Sequence, residues 1–215
     1  RFSLALADAR AREGDLKLAC VILTTLLEKE PGNTETLAQL ADYAHDAEDE
    51  RTETRVLNQL GHKLAKELDY PRAVDVFERL HALRPADADV LEMLTDCCVA
   101  GKMHAKAIGY AVKELELVRA GGNQAAIGKA AAKLLDIDPD NPSALALLGA
   151  NLAATDPAKA LTHLRKAAAR FQVSGDNAGA ADALRRVVEL DADDAESWQT
   201  LAEHLAVLGD RKSVV

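Results

Sequence analysis

The sequence predicts an all-α fold, a solenoid of about twelve antiparallel helices, and three observations carry that expectation. Alanine and leucine dominate a chain that is 48% hydrophobic but only 3% aromatic, a palette of strong helix formers rather than of strands. Helix-ending segments recur at a fixed interval: in Glu30-Pro31-Gly32-Asn33, Arg84-Pro85-Ala86-Asp87, Asp138-Pro139-Asp140-Asn141 and Asp191-Ala192-Asp193-Asp194, the second residues stand 54, 54 and 53 apart. Apolar residues then follow the i, i+3, i+4, i+7 spacing of an amphipathic helix in four matching places. These are Leu37, Leu40, Ala41 and Ala44; Leu91, Leu94, Thr95 and Cys98; Leu145, Leu148, Gly149 and Leu152; and Trp198, Leu201, Ala202 and Leu205. A period of this size marks like units stacked in a row.

Taken in order, the chain is expected to open with helices at 2–12 and 15–30. Three triplets follow, at 34–48, 50–69 and 71–84, then 87–100, 103–120 and 123–137, then 141–154, 156–173 and 176–190, and a last helix spans 194–208. The whole of 1–215 reads as one domain, with a partial unit at 1–33, full units at 34–86, 87–140 and 141–193, and a partial unit at 194–215. Gly14, Gly101, Gly121, Gly175 and Gly209 stand where a left-handed residue would close a helix. Asn141-Pro142 and Asp156-Pro157 pair a capping side chain with a proline at the first helical position, where the missing N–H costs nothing. Asp193 with Glu196 has the spacing of a capping box. The small residue in the third place of each apolar face lets a neighbouring helix approach closely, so large residues there should loosen the stack.

Charge narrows the function classes. A net charge of -9 and a pI near 5.2 oppose binding to nucleic acid or anionic lipid, both of which need a basic surface. No apolar run approaches the roughly 20 residues of a bilayer span, so no membrane insertion is expected. Cys20, Cys97 and Cys98 are too few and too oddly placed for a disulfide framework, which favours a reducing cytoplasm.

No chemistry-bearing constellation assembles. Asp136 to Asp140 opens like a calcium loop, but Asn141 stands where the turn needs glycine and Leu147 where a bidentate glutamate belongs. Gly122 to Lys129 resembles a phosphate loop but has one residue too many between its glycines, and Ala130 replaces the Ser/Thr that would hold magnesium. Adjacent Cys97 and Cys98 diverge by about 100° on a helix, and Cys98 falls on the packed face. The histidines at 45, 62, 81, 104, 163 and 204 form no H-x-x-x-H pair. No catalytic residue, metal or cofactor is expected, and the chain does not read as an enzyme.

From Leu57 to Pro85 the residues Leu57, Leu60, Gly61, Leu64, Ala73, Phe77 and Pro85 follow the spacing W-x2-L-G-x2-Y, A-x3-F, P, with Leu replacing both Trp and Tyr. Ala168, Phe171 and Ala180, then Trp198, Leu201 and Ala202, repeat parts of it. The chain resembles tetratricopeptide repeat proteins. The resemblance implies a right-handed superhelix that serves as a protein–protein interaction scaffold, holding a peptide or helix of another protein in its groove. The departure is the period, 53–54 residues and three helices rather than 34 and two. An odd count reverses equivalent helices from unit to unit, so either the middle helix bends or each helix type alternates between layers. The helix phase at the two ends suggests a segment of a longer, bacterial-type protein of that family.

By the same resemblance, groove positions fall on Arg55, Asn58, His62 and Lys66, on Asp89, Glu92 and Asp96, on Glu116 and Arg119, on Arg165, and on Gln199 and Glu203. The stripe on 50–69 follows from spacing, since its four residues lie off the apolar face, and Asp89, Glu92 and Asp96 form an acidic stripe in equivalent register two helices later. The same stripes equally suit ordinary solvated faces. Asn58 and His62 occupy places where the family's clamp for a terminal carboxylate needs Lys and Asn, which disfavours chaperone tails as ligands. The alternatives are a structural spacer, an array that self-associates through its exposed ends, or a regulatory segment of a larger multidomain protein.

Overall fold

The computed structural model describes the backbone of residues 2–212 and the side chains of residues 2–209. Arg1 and the end of the last expected unit, 213–215, lie outside the described residues. The described residues form twelve helices and no strand: α1 (Phe2–Arg12), α2 (Leu16–Lys29), α3 (Thr34–Asp46), α4 (Glu50–Lys66), α5 (Tyr70–Leu83), α6 (Ala88–Ala100), α7 (His104–Ala120), α8 (Gln124–Ile137), α9 (Pro142–Leu152), α10 (Pro157–Ser174), α11 (Asn177–Leu190) and α12 (Ala195–Lys212). From α3 onward their lengths run 13, 17, 14, then 13, 17, 14, then 11, 18, 14 residues. Helix length therefore recurs with a period of three helices.

Two kinds of turn, each in its own register, impose that unit. After α2, α5, α8 and α11 the chain leaves the helix at Glu30, Arg84, Asp138 and Asp191, each with φ between -131° and -138°. Their N–H groups donate back to Leu26, Leu80, Leu134 and Val187. Six of the other seven turns pass through a left-handed residue, Gly14, Leu68, Gly122 and Gly175 in one register and Glu48 and Lys102 in another, and the turn from α9 to α10 does without one. At five of them the next N–H reaches back five residues, as in Asp15 to Arg10 at 2.9 Å, Asp49 to Ala44 at 2.8 Å and Asp69 to Leu64 at 3.0 Å. Such a bond satisfies one of the carbonyls orphaned at a helix end.

At Asp15, Asp49, Asp69 and Asp176 the same residue also caps the following helix, its carboxylate accepting the N–H of Leu18, Thr52, Arg72 and Gly179. One aspartate closes one helix with its backbone and opens the next with its side chain. A turn this short forces the two helices to run antiparallel.

The expected stops at Gly101, Gly121 and Gly209 are corrected. Gly101 is itself the C-cap of α6, with φ -80°, and the left-handed position falls one residue later, at Lys102. Gly122 rather than Gly121 takes that conformation after α7. Gly209 lies inside α12, which runs on to Lys212, because a lone glycine costs a helix interior only about 1 kcal/mol. The cap of α12 is Asp194, whose carboxylate accepts the Ser197 N–H at 3.0 Å, and not Asp193. The capping pairs at Asn141 and Asp156 stand as expected, each followed by proline at the first helical position.

The helices gather into two compact units, residues 1–110 and 111–215, with α7 divided between them at Tyr110. In the first, Leu37, Leu40, Leu57, Leu64, Phe77, Leu80, Leu91 and Leu94 are almost wholly buried. In the second, Leu145, Ala167, Ala168, Ala181, Leu184, Val188 and Leu201 form one cluster. Close approach depends on missing side chains. A Cβ on Gly61 would fall 2.5 Å from the Phe77 ring, and one on Gly149 would fall 2.8 Å from Leu164. On α12 the same register is open on one side: Leu201 is buried, whereas Trp198 is 50% exposed and Ala202 and Leu205 are also exposed.

Candidate protein-interaction surface

Many of the exposed charges hold helices and turns to one another. Arg165 on α10 pairs with Asp191 at 2.9 Å and Asp194 at 2.8 Å, while Lys166 and Arg170, on the same helix, pair with Asp140. Helix α10 thus grips the α8–α9 and α11–α12 turns. In the first unit, Glu53 is buried on α4 and meets His45 of α3 at 3.2 Å and Arg79 of α5 at 3.4 Å. Arg79 reaches Asp42 as well, at 2.8 Å. Glu78 of α5 receives Lys106 at 2.8 Å and the Tyr110 hydroxyl at 2.5 Å.

One of these anchors sets a pH dependence. The Ser197 hydroxyl and N–H, joined by the Arg165 guanidinium, hold the Asp194 carboxyl down at about 2. An unfolded aspartate titrates near 3.9. Because the folded value is the lower one, the anchor contributes its full stability above about pH 4 and loses it as pH falls from there towards 2. Ser197→Ala is expected to raise the midpoint of acid unfolding of α12, read by circular dichroism and by exchange of the α12 amides; an unchanged acid midpoint contradicts the assignment.

Of the residues expected in a groove, Arg55, His62 and Lys66 are exposed along α4 and Asn58 is half-buried. The His62 ring lies edge-on to Phe77, with centroids 5.7 Å apart. On α6, Asp89 and Asp96 are exposed and Glu92 is half-buried; on α7, Glu116 and Arg119 are exposed. Gln199 donates to Glu203 along α12 at 3.3 Å. Arg165 is committed to its two aspartates. Among the signature residues, Leu57, Leu60, Gly61, Leu64, Ala73, Phe77, Ala168, Ala180 and Leu201 are buried, Phe171 is half-buried, and Pro85, Trp198 and Ala202 are exposed.

Arg119 belongs to a cleft that periodicity does not reveal. In the second unit, Ser143, Ala146, Leu147 and Ala150 of α9, with Ala153 just past its end, form a stripe that faces Asp182, Arg185, Arg186 and Glu189 of α11. The cleft consists of two adjoining cavities of about 240 and 440 Å³. Its floor comes from α10 through Leu164 and Phe171. Gly179 makes room for that floor, because a Cβ there would stand 2.7 Å from the Phe171 ring. Helix α9, PSALALLGANL, is apolar on every side, so its pattern reads as core. The only hint of the open side is its run of alanines, too small to fill the space above them.

Among the described residues, no group of three or more His, Cys, Asp or Glu is disposed to hold a metal ion. No described helix is long and apolar enough to cross a membrane. Cys97 and Cys98 are buried, and burial pushes the Cys98 thiol up to about 11, which keeps it protonated near neutral pH.

No family model matches the chain, and no curated protein matches it. Several solved structures are similar to it. A TPR repeats protein from Bacteroides fragilis is 15% identical, with 94% of this chain and 95% of that one covered and a TM-score of 0.42. The C-terminal part of a TPR repeat-containing protein from Cytophaga hutchinsonii is 12% identical, with 92% and 99% covered and a TM-score of 0.27. MamA from Desulfovibrio magneticus is 20% identical, with 80% and 94% covered and a TM-score of 0.26. Its repeat register, the packing of consecutive helices within each unit and the small residues at their contacts make the described residues an all-α helical array.

Proposed function

We propose that the chain is a non-enzymatic protein-interaction scaffold that offers open helix faces to a peptide or helix of a partner protein. The observation that carries this reading is the α9–α11 cleft, whose apolar lining of alanines, Leu147 and Phe171 is partly open between two helices and rimmed by arginines. Exposed apolar surface bounded by polar groups is the usual mark of a contact site. The stripe of Arg55, Asn58, His62 and Lys66 on α4, that of Asp89, Glu92 and Asp96 on α6, Glu116 and Arg119 on α7, and Gln199 and Glu203 on α12 are further contact positions in this reading. Arg165 serves the fold instead.

Cross-linking capture from a cell lysate, with the chain and its R55E/K66E variant as baits, tests the proposal. Discrete polypeptides held by the chain and lost by the variant, with helicity unchanged, are expected. An unchanged set removes α4 from the contact surface, and the absence of any captured polypeptide contradicts the scaffold reading. A second reading, self-association, draws support from α12, where Trp198, Ala202 and Leu205 are exposed although their counterparts Leu91, Thr95 and Cys98 are buried. A strict monomer by light scattering at high concentration rules it out.

A further inference from the structure

The α9–α11 cleft carries its charges unevenly. Asp182 is tied to Arg185 at 2.7 Å, and Asp176 gives its carboxylate to the Gly179 N–H at 2.9 Å. The guanidinium groups of Arg119 and Arg186 have no hydrogen bond or ion pair among the described residues. Both line the smaller cavity, over Ala146, Leu147, Ala183 and Phe171. The larger cavity continues the apolar floor with Ala150, Ala153, Leu164 and Leu190, and Glu189, likewise untied, stands at that end. Because one antiparallel helix separates them, α9 and α11 run in the same direction. The cleft is therefore linear, with Arg119 beside the smaller cavity, Arg186 on both cavities, and Glu189 one helical turn beyond Arg186.

Shape favours a polypeptide over a metabolite. The larger cavity, about 440 Å³, has the volume of a small-ligand site, but it adjoins the smaller one, about 240 Å³, in an open cleft that runs along α11. The α11 wall from Asp176 to Leu190 is about 20 Å long at 1.5 Å per residue, the length of a helix of about 12 to 14 residues. The chain's net charge of -9 opposes an acidic ligand at long range, but repulsion beyond about 8 Å is screened at physiological salt. Contact pairs between guanidinium and carboxylate are not screened to that extent, and their bidentate geometry is the strong one.

Resting on the scaffold reading, the geometry points to one occupant of this cleft: an amphipathic polypeptide segment whose N-terminal or C-terminal end carries two carboxylates for Arg119 and Arg186. Its inner face carries small or medium apolar side chains, and a Lys or Arg about one turn beyond the carboxylates meets Glu189. Selection of a random 12-residue peptide library against the full chain tests this directly. Acidic, apolar-faced peptides are expected to be enriched. Their binding is expected to weaken at least tenfold in R119E/R186E and to stay unchanged in K29E, a charge change on α2 far from the cleft in sequence. Should R119E/R186E fold poorly by circular dichroism, R119Q/R186Q makes the same comparison, with a loss of at least about fivefold. Enrichment of basic peptides, or of acidic peptides indifferent to these substitutions, overturns the assignment and leaves the scaffold reading standing. A library that yields no binder contradicts both.

Discussion

Phe77→Ala is expected to destabilise the first unit by about 3–5 kcal/mol, the range for emptying a fully buried aromatic site. Phe77 is 1% exposed, lies against Gly61 on α4, and meets the His62 ring edge-on. A loss of that size is a large part of the 5–15 kcal/mol that holds a typical domain together. Repeat arrays, however, are stabilised mainly between neighbours. Amide exchange by segment should therefore show α4 and α5 opening while α10 and α11 keep their protection. A loss below about 1 kcal/mol, or an equal loss of protection in α4 and α11, contradicts this picture.

Gly61→Leu is expected to cost about 3 kcal/mol by overpacking, and even Gly61→Ala should destabilise. Helix propensity alone predicts the reverse for alanine, a gain of up to about 1 kcal/mol over glycine. Contact decides the sign. The new Cβ would sit 2.5 Å from a ring that is itself buried and cannot swing away. Gly109 on α7 is the control, since it is exposed and nothing lies within 4 Å of a Cβ placed there. Gly109→Ala should stabilise by about 0.5–1 kcal/mol. Combining Gly61→Ala with Phe77→Leu should cost less than the sum of the two changes, as contacting residues do. Equal shifts in melting temperature for Gly61→Ala and Gly109→Ala would remove the steric account.

Much of the fold is legible in the sequence because its information is local. Aspartates and asparagines before helices, prolines at first positions and the 53–54-residue recurrence lie in plain view, and the helices fall close to where they place them. Turn chemistry is less legible. Glu48, Leu68 and Lys102 adopt a left-handed conformation that side chains disfavour by roughly 1–2 kcal/mol, so no glycine marks those turns. They are held instead by the N–H of the following Asp49, Asp69 and Met103, a backbone bond that leaves no trace in composition.

The surface is legible only in part, for a related reason. Arg165 looks like a free groove cation until its partners Asp191 and Asp194 arrive from 26 and 29 residues away. Conversely, α9 looks like pure core, because periodicity reports which side chains are apolar and not whether a neighbour covers them. Arg119 could be named from its register position. Arg186, its companion in the cleft, could not, since only the approach of α11 to α9 brings the two together.

Recognition of polypeptide through open helix faces is tested most directly by hydrogen exchange of the full chain with and without the polypeptide that cross-linking recovers. Slowed exchange is predicted across 142–152 and 177–190, the walls of the cleft, with the buried helix α5 unchanged. Slowing confined to α1 and α12, or none anywhere, would contradict it.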